Sequence, residues 1–296
     1  MSKQEGGLRI KMLFNRKYRE GNLLISVITV VKNGGKYLEQ TIQSVTNQSY
    51  DNIEYIIIDG ESTDGTLDLL KKYEHKISYW VSEPDNGIYD AMNKGVKLSS
   101  GEYIYFLNSG DTFYNNMVFS DLIKLMDSKL FTFVYGNINL SAQDGNFSII
   151  KGKKIKLKEL IYGMVCHQAL LVKKEVFTNI GFFNTKLKVA ADYEWTIKLF
   201  KSHESHSNYF NITIANMPMG GISDILAVKG INERRIIVKK YFGIKNFIWY
   251  YIFSLFYEIP RNKIRIFLTN FGLIEQWRKV KKCGTNLVSF LWKKGN

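Results

Sequence analysis

Ile104-Tyr-Phe-Leu-Asn-Ser-Gly-Asp111 decides the reading of the fold. A short apolar run, rich in β-branched and aromatic residues, predicts a buried strand. Asn108 to Asp111 then form a polar turn at its carboxyl end. In open α/β sheets ligands bind outside the carboxyl ends of the strands. Asp111, with Asn108 beside it, is therefore placed to hold something polar, and a metal-bound phosphate suits such oxygen donors. A plain turn draws on the same residue types.

Working outward, the pattern repeats. Leu23–Val31 predicts a first strand, broken at Lys32-Asn33-Gly34-Gly35, and Tyr37–Val45 has helical spacing. Ile53–Ile58 predicts a second strand, followed by Thr66 as N-cap of a helix over Leu67–Tyr73. Ile77–Val81 predicts a third strand, Ile88–Leu98 a helix and Tyr103–Leu107 a fourth strand. Strand–helix alternation in units of this length implies an α/β fold, with a mainly parallel sheet wrapped by helices on both faces. The rhythm then changes. Helices are expected at Met117–Met126, Lys174–Ile180 and Ala190–Lys201, and roughly over Ile225–Phe242. Strands are expected at Phe131–Tyr135 and at Val165–Val172, the latter carrying His167 and Gln168. A hairpin turned at Asp144-Gly145 and an edge strand over Tyr209–Met217, interrupted by Pro218, complete the pattern. The implied organisation is a lead-in with little fixed structure (1–22), a first α/β half (23–112), a second half of changed rhythm (113–243), and a helical, basic-aromatic appendage (244–296).

The chain has 296 residues and a net charge of +14. Residues 245–296 hold ten Lys or Arg against two acids, eight of the fourteen. That tail also carries Phe247-Ile-Trp-Tyr-Tyr-Ile-Phe-Ser-Leu-Phe-Tyr257, too short to span a bilayer, which takes about 20 apolar residues. Aromatic and basic residues together are the composition of a segment lying on an anionic membrane surface. A helix packed on the domain with a solvated basic face has the same composition. No nucleic-acid-binding motif is present. Cys166 and Cys283 have no paired spacing, which fits a reducing cytosol, and polar Met1–Gly7 predicts no secretory signal. The expected location is cytoplasmic, peripheral on the inner face of the cell membrane.

Asn33, Asp59, Asp85 and Asp111 follow the four strands and converge on one rim, which suits a ligand with several polar parts. Capping and turn formation are the structural alternatives, and they are preferred for Asp64. Neither GxGxxG nor GxxxxGK[ST] occurs after the first strand, which argues against dinucleotide and P-loop binding.

Four segments, in order, resemble the motifs of family 2 glycosyltransferases, and the bacterial branch that builds surface polysaccharides most of all. They are Ile25-Ser-Val-Ile-Thr-Val-Val-Lys-Asn33, Ile57-Ile-Asp59-Gly-Glu-Ser-Thr-Asp-Gly-Thr66, Glu83-Pro-Asp85-Asn-Gly-Ile-Tyr-Asp-Ala-Met-Asn-Lys-Gly95 and Phe106-Leu-Asn-Ser-Gly-Asp111. The resemblance implies a GT-A fold and inverting transfer of a sugar from a nucleotide diphosphate donor, a UDP-sugar by preference, to a lipid-linked (polyprenyl diphosphate) saccharide. It implies nucleotide contacts from Thr29, Val30, Asn33, Asp59, Asp85, Asn93, Lys94 and Asn108, and a divalent ion, Mn²⁺ or Mg²⁺, on Asp111. The usual Asp-x-Asp is here Asn108-Ser-Gly-Asp111. Inverting transfer needs a base for the acceptor hydroxyl. Ala191-Asp192-Tyr-Glu194-Trp resembles the segment that supplies it, with Asp192 as base and Glu194 near the acceptor. An N-terminal acid stabilising a helix dipole is the alternative. His167 and Gln168 are expected at the diphosphate or acceptor, although a lone His is equally a strand-end residue bonded to backbone. Gly220-Gly-Ile-Ser223 resembles a late motif of the family, read either as a flexible loop closing on the donor or as a simple turn. A nucleotidyltransferase and a non-catalytic binding module are the rival functions: the first would release pyrophosphate, and the second would be indifferent to loss of Asp192.

Overall fold

The computed structural model describes residues 3–14, 22–126, 129–142, 148–221 and 226–260. The described residues are built on one mixed, mostly parallel sheet of ten strands. Its parallel half comprises β2 (Ile25–Val31), β3 (Ile53–Asp59), β4 (Tyr79–Ser82) and β5 (Tyr103–Phe106), in the order β4-β3-β2-β5. Every residue of these four strands is buried, because apolar layers cover both faces. Successive side chains of a strand point to opposite faces. Ile28 and Val30 accordingly pack with Met92 and Val96 of α3 (Ile88–Leu98), whereas Val27 and Val31 pack with Leu38 and Ile42 of α1 (Leu38–Thr46).

The other half is where strand direction reverses. β9 (Leu170–Lys173) runs antiparallel to β5, with Tyr105 opposite Leu171. Beyond it come β7 (Phe133–Ser141), β10 (Ser207–Pro218) and the two-residue β6 (Thr112–Phe113), while β8 (Ser148–Lys151) pairs with β7. α2 (Thr66–Tyr73), α4 (Val118–Met126), α5 (Glu175–Asn179) and α6 (Ala191–His203) pack around the sheet, and α7 (Ala227–Phe253) continues through a π-helical turn to Glu258.

Several expectations are corrected. The N-terminal lead-in contains β1 (Gln4–Gly6), which pairs antiparallel with β4; Gly6 lies against the Trp80 indole, and Arg9 reaches the buried Glu54. Two polar residues and a glycine carry no periodic signal, so only their distant partners reveal the strand. Val165–Val172 is not a continuous strand: His167–Ala169 form a 3-10 turn ahead of β9. β10 is not an edge strand, since β6 pairs with Ala215 and Asn216 on its outer side; Pro218 lies at its end, where a missing N–H is tolerated. Thr66 is the first residue of α2 and not its cap; its N–H and hydroxyl donate to Asp64, the residue that sequence reasoning gave a structural role. The β7–β8 pairing bears out the hairpin, whereas its turn at Asp144-Gly145 lies outside the described residues, as do Ile222, Ser223 and residues 261–296.

Candidate active site

Two polar clusters form along the carboxyl edge of the parallel strands. The first joins the ends of β2, β3 and β4. Asp59 is fully buried and accepts from the backbone N–H of Ser62 (3.0 Å), the Ser62 hydroxyl and the Ser82 hydroxyl (2.6 Å). Asn33, in a left-handed conformation (φ 52°), ties its own loop to the same segment: its N–H donates to Ser62 Oγ (2.7 Å) and its Oδ1 accepts from Thr63 N (2.9 Å). Asp85 accepts from Gly87 N (2.8 Å), and its other oxygen crosses Gly60 so closely that a Cβ there would collide with it. Any side chain at position 60 would push the Asp85 carboxylate out of this position.

The second cluster centres on the Asn108–Asp111 turn. β9 is antiparallel to β5, so the turn entering β9 meets the turn leaving β5. Adjacent residues then bridge two carboxylates. Gln168 Nε2 donates to Asp111 Oδ2 (2.8 Å), and His167 Nδ1 donates to Asp192 Oδ2 (3.0 Å). Because Nδ1 faces a carboxylate it carries the proton, leaving Nε2 to accept from Asn108 Nδ2 (3.0 Å). Asp192 Oδ1 also accepts from the Tyr89 hydroxyl (3.0 Å) and from Tyr193 N (2.8 Å). The clusters adjoin: Thr41 Oγ1 donates to Asp111 O and accepts from Gly110 N, and Ser109 N donates to Val30 O.

The two acids differ electrostatically. Burial raises the Asp111 carboxyl to about 6, against the lowering effects of the Gln168 hydrogen bond and the nearby His167. Burial also acts to raise Asp192, but the bonds from His167, Tyr89 and Tyr193 N outweigh it and hold that carboxyl below the ordinary aspartate range. Asp192 is thus ionised at neutral pH with its lone pairs fixed in direction.

The Asp111 shift has a measurable consequence. A carboxyl with a raised folded pKa binds more protons folded than unfolded between the two values, here 3.8 and about 6. Stability is therefore lost as pH rises through that window, and the full cost stands above it. Asp111→Asn is expected to gain ~2 kcal/mol at pH 7.5, about 5 °C in thermal midpoint, and nothing near pH 3.5. Calorimetry at the two pH values checks this, and an unchanged midpoint at pH 7.5 would contradict it.

The side chains of the other sequence-derived candidates make their hydrogen bonds and contacts outside these two clusters. Thr29 is fully buried, donating to Leu107 O (2.7 Å) and bonded to the Tyr55 hydroxyl, and Val30 is in the core. Asn93 spends both ends of its amide on the backbone of Phe183 (2.9 and 3.0 Å). Lys94 holds Pro84 O (2.8 Å) and Glu83 (3.0 Å), bracing the Asp85 loop. Glu194 faces α7, accepting from Lys240 (2.8 Å), Tyr241 (3.1 Å) and Asn184 (3.2 Å). Sequence reasoning missed Tyr89, although it lies inside a quoted motif, and Ser62 and Ser82, which complete the Asp59 site. A cavity of about 470 Å³ lies at the opposite end of the sheet, lined by Ser100, Glu102, Lys173 and Lys174, away from every candidate carboxylate.

Among the described residues no three His, Cys, Asp or Glu side chains gather as a metal cluster. Within the Asn108–Asp111 turn and on Gln168, whose amide nitrogen bonds Asp111, three buried oxygens have no hydrogen-bond partner: Asn108 Oδ1, Ser109 Oγ and Gln168 Oε1. One carboxylate among neutral oxygens fits a hard cation that takes its remaining ligands from phosphate and water.

Residues 26–181 match the model of glycosyl transferase family 2. A glycosyltransferase of PGL/p-HBAD biosynthesis from Mycobacterium bovis is 26% identical over 217 residues, covering 71% of this chain and 83% of that protein. A Mycobacterium tuberculosis glycosyltransferase without an assigned role is 32% identical over 59% of this chain and 68% of its own length. Among solved structures, S. aureus TarS 1-349 in complex with UDP-GlcNAc has a TM-score of 0.57 at 16% identity, covering 73% of this chain and 67% of that one. The longer TarS chain is covered to 40%. A mannosyltransferase from Pyrobaculum calidifontis, in complex with GDP-Man and Mn²⁺, has a TM-score of 0.56 at 13% identity, covering 88% and 84%. These likenesses identify the fold as GT-A.

Proposed function

The chain belongs to glycosyl transferase family 2, and from that premise we propose that it moves a sugar, with inversion, from a UDP-sugar to a lipid-linked saccharide acceptor in bacterial polysaccharide assembly. The observation that carries this reading is the placement of Asp192: buried, with its carboxyl group oriented by His167, Tyr89 and Tyr193 N beside the Asp111 turn. In the proposed step Asp192 takes the proton of the acceptor hydroxyl as its oxygen bonds to the anomeric carbon. The bond from that carbon to the phosphate oxygen breaks, and its electron pair leaves with the nucleoside diphosphate. Tyr89 and His167 keep the carboxylate in register throughout. Asp111 would hold Mn²⁺ or Mg²⁺ with Asn108, and the ion would neutralise charge on the departing diphosphate. Asn33, Asp59 and Asp85 are the nucleotide side of the site. Residues 23–112 then bind the donor, and 113–243 bind the acceptor and carry the base.

The UDP preference is supported by the TarS complexes with UDP and UDP-GlcNAc, and a divalent ion by the GDP-Man and Mn²⁺ complex. Membrane contact is supported by the far side of α7. Ile244, Ile248, Trp249, Ile252, Leu255 and Phe256 are exposed, the last by 80%; Lys245 lies in the same stretch, and Arg235 and Lys239, earlier in the helix, lie over Tyr251 and Phe247. No helix of the described residues is long and apolar enough to cross a membrane. A cytoplasmic enzyme seated on the inner membrane face accounts for both features.

The test is incubation with UDP-GlcNAc, UDP-glucose, UDP-galactose and GDP-mannose, Mn²⁺ or Mg²⁺, and polyprenyl diphosphate-linked sugars. Acceptor-dependent release of a nucleoside diphosphate is expected. Release of pyrophosphate from a nucleoside triphosphate would identify a nucleotidyltransferase instead, and nucleotide binding without turnover a binding module. Co-sedimentation with phosphatidylglycerol vesicles is expected, and its absence would remove the membrane contact.

A further inference from the structure

α7 is not one straight rod. Gly243 interrupts it with φ 83°, dividing it into arms 227–242 and 244–253. The second arm and its π-helical continuation fold against the first. Arg234 pairs with Glu258 (2.7 Å), Arg235 Nε donates to Ser254 Oγ (2.8 Å), and the Tyr250 hydroxyl donates to Glu258 (2.7 Å). The Arg235 guanidinium also lies over the Tyr251 ring at 4.3 Å. This helical hairpin presents its first arm to the stretch of chain that carries Asp192.

The grip on that stretch is specific. Glu233 accepts three successive backbone N–H groups, from Lys188, Val189 and Ala190, each at 2.9 Å. These are the residues leading into α6, where N–H groups lack helical partners and a carboxylate is favoured. Gly230 packs so near Val189 that a Cβ there would meet Val189 Cγ1 at 3.0 Å. On the other side of Asp192, the Arg234 guanidinium lies 4.6 Å from the Tyr193 ring, and Lys240 and Tyr241 hold Glu194. The two ends of the grip meet at the carboxylate itself. The single Tyr89 hydroxyl proton is shared between Val189 O (2.6 Å) and Asp192 Oδ1 (3.0 Å), so the position of Val189 sets how that donor meets the carboxylate.

We propose that Glu233 is a positioning residue for sugar transfer: by fixing the backbone of residues 188–190 it keeps Asp192 and Tyr89 in the register needed to take the acceptor's proton. The inference rests on the assignment of Asp192 as base. Glu233 reaches no strand end at which the nucleotide would bind, so its effect is confined to the chemical step.

The test uses the full chain with whichever of UDP-GlcNAc, UDP-glucose, UDP-galactose and GDP-mannose turns over. Glu233→Ala is expected to lower kcat at least 20-fold, while donor KM and the calorimetric Kd for UDP stay within twofold. Glu233→Gln, which keeps an acceptor oxygen, should restore kcat to within about fivefold of wild type. Hydrogen exchange should quicken at residues 188–190 in Glu233→Ala and stay unchanged in β2 and β3. Unchanged kcat with faster exchange there would reduce Glu233 to a purely structural grip and overturn the inference. Loss of UDP affinity in step with kcat would also overturn it, as general damage. Absence of turnover by the wild-type protein would instead remove the base assignment, and the inference with it.

Discussion

Asp192→Asn is expected to lower kcat about 10³-fold while leaving UDP affinity within threefold, since a positioned general base contributes 10²- to 10⁴-fold. The amide is nearly isosteric, and its oxygen can still accept from Tyr89 and Tyr193 N, as Oδ1 does now. His167 can accommodate the new NH₂ group by carrying its proton on Nε2, because the facing Asn108 amide can rotate and offer its unpartnered Oδ1. The fold should therefore survive, and only the proton acceptor is lost. Single-turnover assays paired with isothermal titration of UDP check this. Equal losses of binding and turnover would mean that Asp192 holds the site together and does not act as base.

His167→Ala is expected to have the next largest effect, a fall in kcat of about 30-fold at neutral pH. Its more telling mark is in the pH profile. Burial acts to raise the Asp192 carboxyl, and the bond from His167 is the foremost of the interactions that overcome it. Without His167 burial prevails and the carboxyl pKa rises. The base is then protonated over a wider acid range, so the acid limb of kcat/KM moves to higher pH, by at least one unit. His167→Asn, which can donate one hydrogen bond but carries no titrating ring, should recover part of the rate with a smaller displacement. A fall in kcat with the acid limb unmoved would place His167 on a substrate and free it from a role in tuning the base.

The parallel half of the fold was legible because its signals are local. β2 and β3 are short, mostly apolar runs rich in β-branched residues, and α3 begins and ends at the residues its periodicity gives. What was not legible depends on contacts between distant segments. β1 exists only because β4 offers it an edge, and the Arg9–Glu54 pair joins residues 45 apart. The antiparallel placement of β9 beside β5 is invisible in either strand, yet it alone brings His167 to Asp192 and Gln168 to Asp111. The residue types of the site could be read one by one. Their division of labour could not, because it is set by partners: Asn93 and Glu194 are polar residues near the motifs whose groups are spent on Phe183 and on α7. Glu233 and Arg234, in a helix with no motif, gave no sequence signal at all.

The central claim is a single displacement at the anomeric carbon, with Asp192 taking the acceptor's proton. The measurement that reaches it most directly is the anomeric configuration of the first-formed product, read from the proton coupling constant by NMR before any hydrolysis. The account predicts inversion relative to the donor, with none formed by Asp192→Asn over the same interval. A product of retained configuration would contradict it, since one displacement cannot retain.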